Sequence, residues 1–371
     1  MNFEFTEDQE QLRDAVRKWM DKANTFEKRR AVADAGGFSR ANYTELAELG
    51  LTGVYVPEEH GGMGMGPVEA MVAMEELGRG IALEPLAQVL IAGGILASYA
   101  PDAVQAAWLP GIAGGEKIVV LAQVERGSRY KLGVCATTAA QAGGGWTVSG
   151  TKGLVPVADA ADAFLVPAKV GAQIQLFLVE RGASGVSVRA YGTQDGGRAG
   201  DVTFSNAPAQ LVAADGLAAL EHAVDIGIAA NCAYAVGAMD KTLAITAEYL
   251  NTRKAFGVAI SSFQALRHKA SDMKMALELG RSMSYYGTLK LNTPAPERRV
   301  ALARAKYQLG ESMRYVGQTA VQLHGGIGVT DEYIISHYFR VLTQLEMTYG
   351  DTLHQLGEVS DRMGDHAGVF A

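Results

Sequence analysis

A chain of 371 residues is long enough for two or three domains of roughly 100–200 residues and for a sizeable buried core. Its 48% hydrophobic and 20% charged residues are the composition of a folded globular protein, which excludes a mainly disordered chain. The 40 acidic against 33 basic residues give a formal charge of −7 with no sustained basic run, so neither nucleic acid nor an anionic membrane surface is an expected partner.

Residues 5–99 carry helical signals. In TEDQEQLRDAVRKWM, Thr6 is followed three residues on by Gln9, the spacing of a capping box, and Leu12, Val16 and Met20 recur on one helical face. That face is expected to pack inward. The N-terminus starts acidic and turns amphipathic, without the basic and then apolar order of a secretory signal, so a cytoplasmic location is expected. The glycine-rich PEEHGGMGMGP at 57–67 breaks the helical pattern and reads as a loop. Its GGMGMG matches a dinucleotide fingerprint only superficially, because it follows a helical region and no βαβ unit surrounds it. The apolar stretches 86–100 and 226–239 fall short of the roughly 20 residues that cross a bilayer. No membrane span is expected.

Between about 117 and 212 the texture changes to short β-branched runs punctuated by Gly, Asp and Asn. Strands are expected at 118–123, 145–149, 163–167, 175–179, 186–191 and 200–205, spaced as in a small antiparallel barrel or sandwich. Helical periodicity returns from 217, with long runs at 216–251, 262–291 and 297–323 that suit a four-helix bundle. The fold class is therefore α+β, with an α-helical domain over 1–115, a β domain over 116–212 and an α-helical bundle over 213–371. The small residues of IGIAANCAYAVGAM are expected to serve close helix packing. Cys135 and Cys232 form no CxxC pair and are expected to be reduced and buried. The histidines show no metal-ligand spacing, and GxSxG and GxxxxGK[ST] are absent, which disfavours metal, hydrolase and P-loop chemistry.

Two segments of the C-terminal half are more specific. YLNTRKAFGVAISSFQ places Arg253, Phe256, Gly257 and Gln264 between two long helices, and QLHGGIGVT runs from a helix end into adjacent glycines. Backbone without side chains approaches a diphosphate closely, and an arginine adds charge-assisted bonds to the same anion. Together the segments read as a dinucleotide cradle.

On these motifs, RKAFG…FQ and QLHGGIG, and on the α–β–α order along essentially the whole chain, the sequence resembles the acyl-CoA dehydrogenase family. The resemblance implies FAD-dependent α,β-dehydrogenation of an acyl-CoA thioester, in which a glutamate removes the α-proton and the β-hydride passes to the flavin. It implies an electron-transfer flavoprotein as acceptor. It also implies a tetramer in which the RxxFG and QxxGG segments of one subunit reach the adenosine diphosphate part of a neighbour's flavin. Carried onto this chain, Arg253 pairs with the pyrophosphate, and Phe256 and Gln264 contact the adenosine half. Gln322, Leu323, His324, Gly325 and Gly326 line the crossing loop, His324 through its backbone.

The chain departs from the family pattern at the base. The usual glutamate lies in Y-E-G-T shortly after the arginine matched by Arg340. In FRVLTQLEMTYGDTLHQL, Tyr349 takes that place without a gap, and Gly350 followed by Asp351 takes it with one inserted residue. Other members carry the glutamate on the helix before RxxFG, where this chain has Gly227 with Asp225 nearby. Asp351 is the local candidate for the base, with a capping or cofactor-contacting role as the alternative, and Glu346 is expected to be solvated. The flavin-facing segments depart as well. T-E-P-G-A-G-S-D is reduced to QVERGSRY from Gln123, and the W-I-T after a G-T-K match is Leu154, Val155 and Pro156. Such departures resemble the small subunits of heteromeric acyl-CoA dehydrogenases acting on bulky or dicarboxylic acyl groups, such as pimeloyl-CoA and steroid side chains. There one subunit supplies the glutamate and the other completes the FAD site. The expected assembly is a homotetramer or a heterotetramer with a homologous subunit. The chain is then either active itself, a degenerate partner, or a catalyst of other acyl-CoA chemistry.

Overall fold

The capping box at Thr6 opens the first helix, α1 (Glu7–Ala23): Thr6 Oγ1 accepts from the Gln9 amide at 3.3 Å and Gln9 Oε1 from the Thr6 amide at 3.0 Å. Val16 and Met20 on its expected inner face are buried. The computed structural model describes residues 4–363. After α1 come α2 (Phe26–Asp34), α3 (Arg40–Glu48), α4 (Pro67–Arg79), α5 (Leu86–Tyr99) and α6 (Asp102–Ala113), so the N-terminal part consists of short helices joined by loops, as expected. The strands are β1 (Val119–Leu121), β2 (Thr138–Ala142), β3 (Gly145–Pro156), β4 (Ala163–Val170), β5 (Gln173–Glu180), β6 (Val186–Gly192) and β7 (Arg198–Ala213). Then follow α7 (Gly216–Thr252), a hairpin of β8 (Lys254–Ala255) and β9 (Val258–Ala259), α8 (Gln264–Lys290), α9 (Ala295–His324), α10 (Ile334–Met347) and α11 (Thr352–Asp361). Among the described residues no helix is long and apolar enough to cross a membrane.

The six expected strands form, and the sheet closes on itself. β4 pairs with β2, β2 with β3, β3 with β7, β7 with β5, and β5 with β4, which makes a barrel; β1 and β6 add to β4 and β7. The interior is apolar, with Phe164 edge-on to Phe204 and Val148, Phe177 and Val202 buried beside them. One strand is additional. TAAQA of β2 lacks a β-branched run and buries only Ala139, yet Gly143 and Gly144, with φ of +59° and +85°, turn it tightly into β3. β3 and β7 are longer than expected, because register shifts at 148–150 and 152–155 interrupt their alternation without ending their pairing.

The chain forms two compact bodies. One holds the described residues up to Lys28, Met71–Ala82 and the described residues from Ile228 onward; the other holds Arg29–Ala70 and Leu83–Gly227, with the barrel. In the first body α9 is central, with α8, α10 and α11 packed on it around Leu309, Met313 and Val316. The small-residue run of α7 serves close packing as expected. A Cβ built on Gly78 would stand 1.9 Å from the Tyr234 carbonyl oxygen, and one on Gly237 would stand 1.8 Å from that of Glu75, so α4 and α7 touch backbone to backbone. Both cysteines are buried free thiols.

Candidate functional site

α7 ends one residue before Arg253, and the β8–β9 hairpin follows. Its tip residues Phe256 and Gly257 have φ of +53° and +85°, the two left-handed residues that the tightest hairpin turn requires. The Arg253 amide donates to the Tyr249 carbonyl at 2.8 Å and the Ile260 amide to the Arg253 carbonyl at 2.9 Å, which fixes the stem. Arg253, Phe256 and Gln264 are all exposed. Phe256 is 96% exposed, so its ring adds nothing to this chain's own core. Among the described residues the Arg253 guanidinium has no acidic partner.

The second segment begins where α9 ends. Gln322 is exposed, Leu323 and His324 are buried, and Gly325 and Gly326 are exposed again. Gly325 has φ +63° and ψ −141°, a combination open to glycine, and Cβ atoms built on Gly325 and Gly326 meet nothing within 4 Å. The two segments share a root. Tyr249 stacks on His324 with centroids 4.4 Å apart and 29° between planes, and its hydroxyl donates to the His324 carbonyl at 3.3 Å. Burial pushes the His324 imidazole below its ordinary pKa, against the opposing bond to the Ala320 carbonyl.

The segment after α10 is where the family resemblance puts the usual base. Arg340 pairs with Asp331. Tyr349 and Gly350 have φ of +61° and +108°, and Asp351 is the N-cap of α11, accepting from the His354 amide at 2.8 Å. A left-handed non-glycine residue persists where its surroundings hold it, and here the Tyr349 carbonyl accepts from buried Gln355 at 2.8 Å. Glu346 is not solvated: it is 9% exposed and accepts from the Thr352 amide at 2.9 Å, the Thr352 hydroxyl at 2.6 Å and Arg314 at 3.2 Å. Glu346 follows Tyr338 and Leu342 at four-residue spacing on the buried face of α10, which turns its side chain inward and not to solvent as expected. Beneath the segment lies Lys306, 1% exposed, donating to the carbonyls of Leu345 and Glu346 at the negative end of α10. Burial pushes its pKa down to about 8 against the pull of Cys232, Glu346 and Asp351. Asp225 is buried in α7, two residues before Gly227.

The barrel carries the other half of the expected flavin contacts. Glu125, in QVERGSRY, forms a buried ion pair with Lys152 at 2.6 Å. Sequence reading did not single out this pair, nor Lys306, Tyr249 or Tyr333. At the place of W-I-T, Leu154 is an exposed residue with φ +53°. Its amide donates to the Tyr191 hydroxyl at 3.2 Å, and that hydroxyl donates to Asp201 at 3.0 Å. The neighbouring Gly153 amide is held by the Val124 carbonyl at 2.8 Å. The Gly153 and Leu154 amides are thus taken within the chain. At the start of QVERGSRY, Gln123 has a buried carboxamide oxygen with no partner among the described residues. In the C-terminal segments, an exposed arginine without an acidic partner among the described residues and bare glycine backbone suit the diphosphate of FAD.

The chain matches the acyl-CoA dehydrogenase N-terminal domain over residues 6–116, the middle domain over 121–207 and the C-terminal domain over 214–364. It is 28% identical over 339 residues to "Acyl-CoA dehydrogenase FadE27" of Mycobacterium tuberculosis, covering 88% of this chain and 89% of that protein. With the benzylmalonyl-CoA dehydrogenase of Aromatoleum aromaticum it shares 28% identity over 356 residues, 92% and 93% of the two chains. Among solved structures, a single-residue variant of the Tcur3481-Tcur3483 steroid ACAD superposes with a TM-score of 0.90 at 31% identity, covering 98% of this chain and 99% of that one. The ChsE4-ChsE5 complex from Mycobacterium tuberculosis does so with a TM-score of 0.90 at 28% identity and the same coverage, 98% and 99%. Three domain matches in the order that the helices, barrel and bundle occupy mean that the protein belongs to the acyl-CoA dehydrogenase family of FAD-dependent oxidoreductases.

Proposed function

We propose that this chain is one subunit of a heteromeric acyl-CoA dehydrogenase and completes the FAD site of a homologous subunit that carries the catalytic glutamate. The observation that carries the reading is a mismatch between two sites. The cradle motifs are present and exposed, with no acidic partner for Arg253 among the described residues and Phe256 solvated, while the place the resemblance gives the base holds a tyrosine and a helix-capping aspartate. The similarity to a steroid acyl-CoA dehydrogenase and to the ChsE4-ChsE5 complex supports a heteromer, and the kinship with a benzylmalonyl-CoA dehydrogenase supports a bulky acyl group.

FAD, when bound, supplies the electron acceptor for α,β-dehydrogenation of the acyl-CoA thioester. Arg253 gives charge-assisted hydrogen bonds to the pyrophosphate. Phe256 and Gln264 contact the adenosine half, and Gln322, Leu323, His324, Gly325 and Gly326 form the crossing loop, in which the glycines let backbone approach the anion. In this reading the assembly is a heterotetramer in the cytoplasm, and an electron-transfer flavoprotein takes the electrons onward.

Asp351 holds the start of α11 in this reading and takes no proton from substrate. Asparagine caps a helix as well as aspartate does. Asp351→Asn in the assembled complex should therefore leave acyl-CoA-dependent bleaching of the flavin at the wild-type rate, followed anaerobically by absorbance. A loss of about 10²–10⁴-fold, the size of general-base catalysis, would put the base on Asp351 instead.

A further inference from the structure

His324 occupies an unusual box. It is the last residue of α9, 3% exposed, with Tyr249 stacked on it and Tyr333 tilted against it at 5.3 Å. Its Nδ1 lies 2.8 Å from the Ala320 carbonyl oxygen. A carbonyl only accepts, so Nδ1 carries the hydrogen and Nε2 presents its lone pair. Among the described residues that buried Nε2 has no hydrogen-bond partner.

The box joins two elements. On α7, Tyr249 accepts through its carbonyl from the Arg253 amide, one turn on. On α9, His324 is followed at once by Gly325 and Gly326. The stacked rings and the bond from the Tyr249 hydroxyl to the His324 carbonyl therefore set the spacing between the arginine and the glycines. We propose that His324 is the positioning residue that holds the two flavin-contacting segments in one geometry, and that it does so only as the neutral imidazole, so that acid releases the chain's grip on the cofactor. The inference rests on the reading that Arg253, Gly325 and Gly326 face FAD.

The sign follows from the surroundings. Facing the ring are Tyr249 from α7, with Glu248 beside it in sequence, Tyr333 from the turn before α10, and the Ala320 carbonyl of its own helix. Protonation would add a charged Nε2–H with nothing to receive it. Attraction of the cation to the two tyrosine rings opposes this loss only in part, because a buried charge forfeits its hydration. Burial lowers the imidazole's pKa accordingly. The neutral ring's contribution is complete above the ordinary histidine value near 6.5 and is lost as pH falls below it, because the unfolded chain takes up the proton first.

The test uses the assembled, flavin-loaded complex. Flavin released at pH 5 and at pH 7.5 is measured by its fluorescence for wild type, His324→Phe, Tyr249→Leu and Arg253→Ala. Wild type should release more flavin at pH 5 than at pH 7.5, because the burial that lowers the imidazole's pKa makes the proton a competitor of the packed box. His324→Phe keeps a ring in the stack and cannot titrate, so its ratio should stay near one; Tyr249→Leu, which unstacks the box, should release more flavin than wild type at pH 7.5. The melting temperature of His324→Phe should also vary less than that of wild type between pH 5 and 7. Parallel acid profiles of wild type and His324→Phe, in flavin release and in melting, would overturn the proposal even if Arg253→Ala leaks flavin. Tight flavin in Arg253→Ala at pH 7.5 would instead overturn the functional reading beneath it.

Discussion

Lys152→Met is expected to lower the unfolding free energy of the barrel-containing body by about 3–5 kcal/mol, the cost of breaking a buried ion pair from one side. The two side chains are 1% and 8% exposed and meet at 2.6 Å. Glu125 also accepts from the Ala136 amide at 2.6 Å, the Thr137 amide at 3.1 Å and the Thr137 hydroxyl at 2.7 Å, with the Cys135 thiol at 3.3 Å. Without the ammonium the carboxylate stays buried on neutral donors alone. Burial acts to raise the Glu125 pKa, but the bonds from Lys152, Ala136 and Thr137 outweigh it and bring it down to about 2. The pair's contribution is therefore present above the ordinary carboxylate value of roughly 4.3 and is lost as pH falls toward about 2. Denaturant unfolding at pH 7 should show the loss, and the acid limb of stability should move to higher pH in the variant. The double change Glu125→Gln with Lys152→Met should recover part of the stability, since a buried amide costs less than a buried charge. A single-variant loss under about 1 kcal/mol, the range of an exposed pair, would contradict the account. The pair anchors the QVERGSRY segment to β3.

Arg253→Ala is expected to weaken FAD retention by about 1.5–3 kcal/mol, the range for hydrogen bonds to a charged group, or roughly 10- to 150-fold in affinity. The guanidinium is exposed and has no acidic partner among the described residues, so the isolated chain should melt at the wild-type temperature. Equilibrium dialysis of flavin against the assembled complex measures the first effect, and calorimetry of the chain alone measures the second. Unchanged flavin affinity would remove Arg253 from the cofactor site. A lowered melting temperature would show that the side chain supports this chain's own fold.

Much of the architecture was legible because its signals are local. Thr6 and Gln9 stand at capping-box spacing, and the capping box forms. Short β-branched runs between glycines became the barrel strands, whereas β2 escaped because alanines and mostly exposed side chains leave no apolar alternation; the Gly143 and Gly144 turn was its one mark. The cradle motifs were readable as strings, but their joining was not. Tyr249 and His324 are 75 residues apart in sequence, and nothing in either neighbourhood announces a stacked pair. Lys306 and Lys152 read as ordinary charges until burial and distant partners define them. Glu346 could have been found, because its spacing from Leu342 and Tyr338 already marks the inner face of α10.

The central claim is that this chain completes a flavin site whose base lies on another subunit, and anaerobic acyl-CoA titration of the visible flavin spectrum tests it most directly. The chain is assayed alone and co-assembled with a homologous subunit that carries the glutamate. The account predicts no acyl-CoA-dependent bleaching by the chain alone, full bleaching in the complex, and loss of that bleaching when the glutamate of the homologous subunit is changed to glutamine. Full flavin loading and bleaching by the chain alone, abolished by Asp351→Asn, would contradict it.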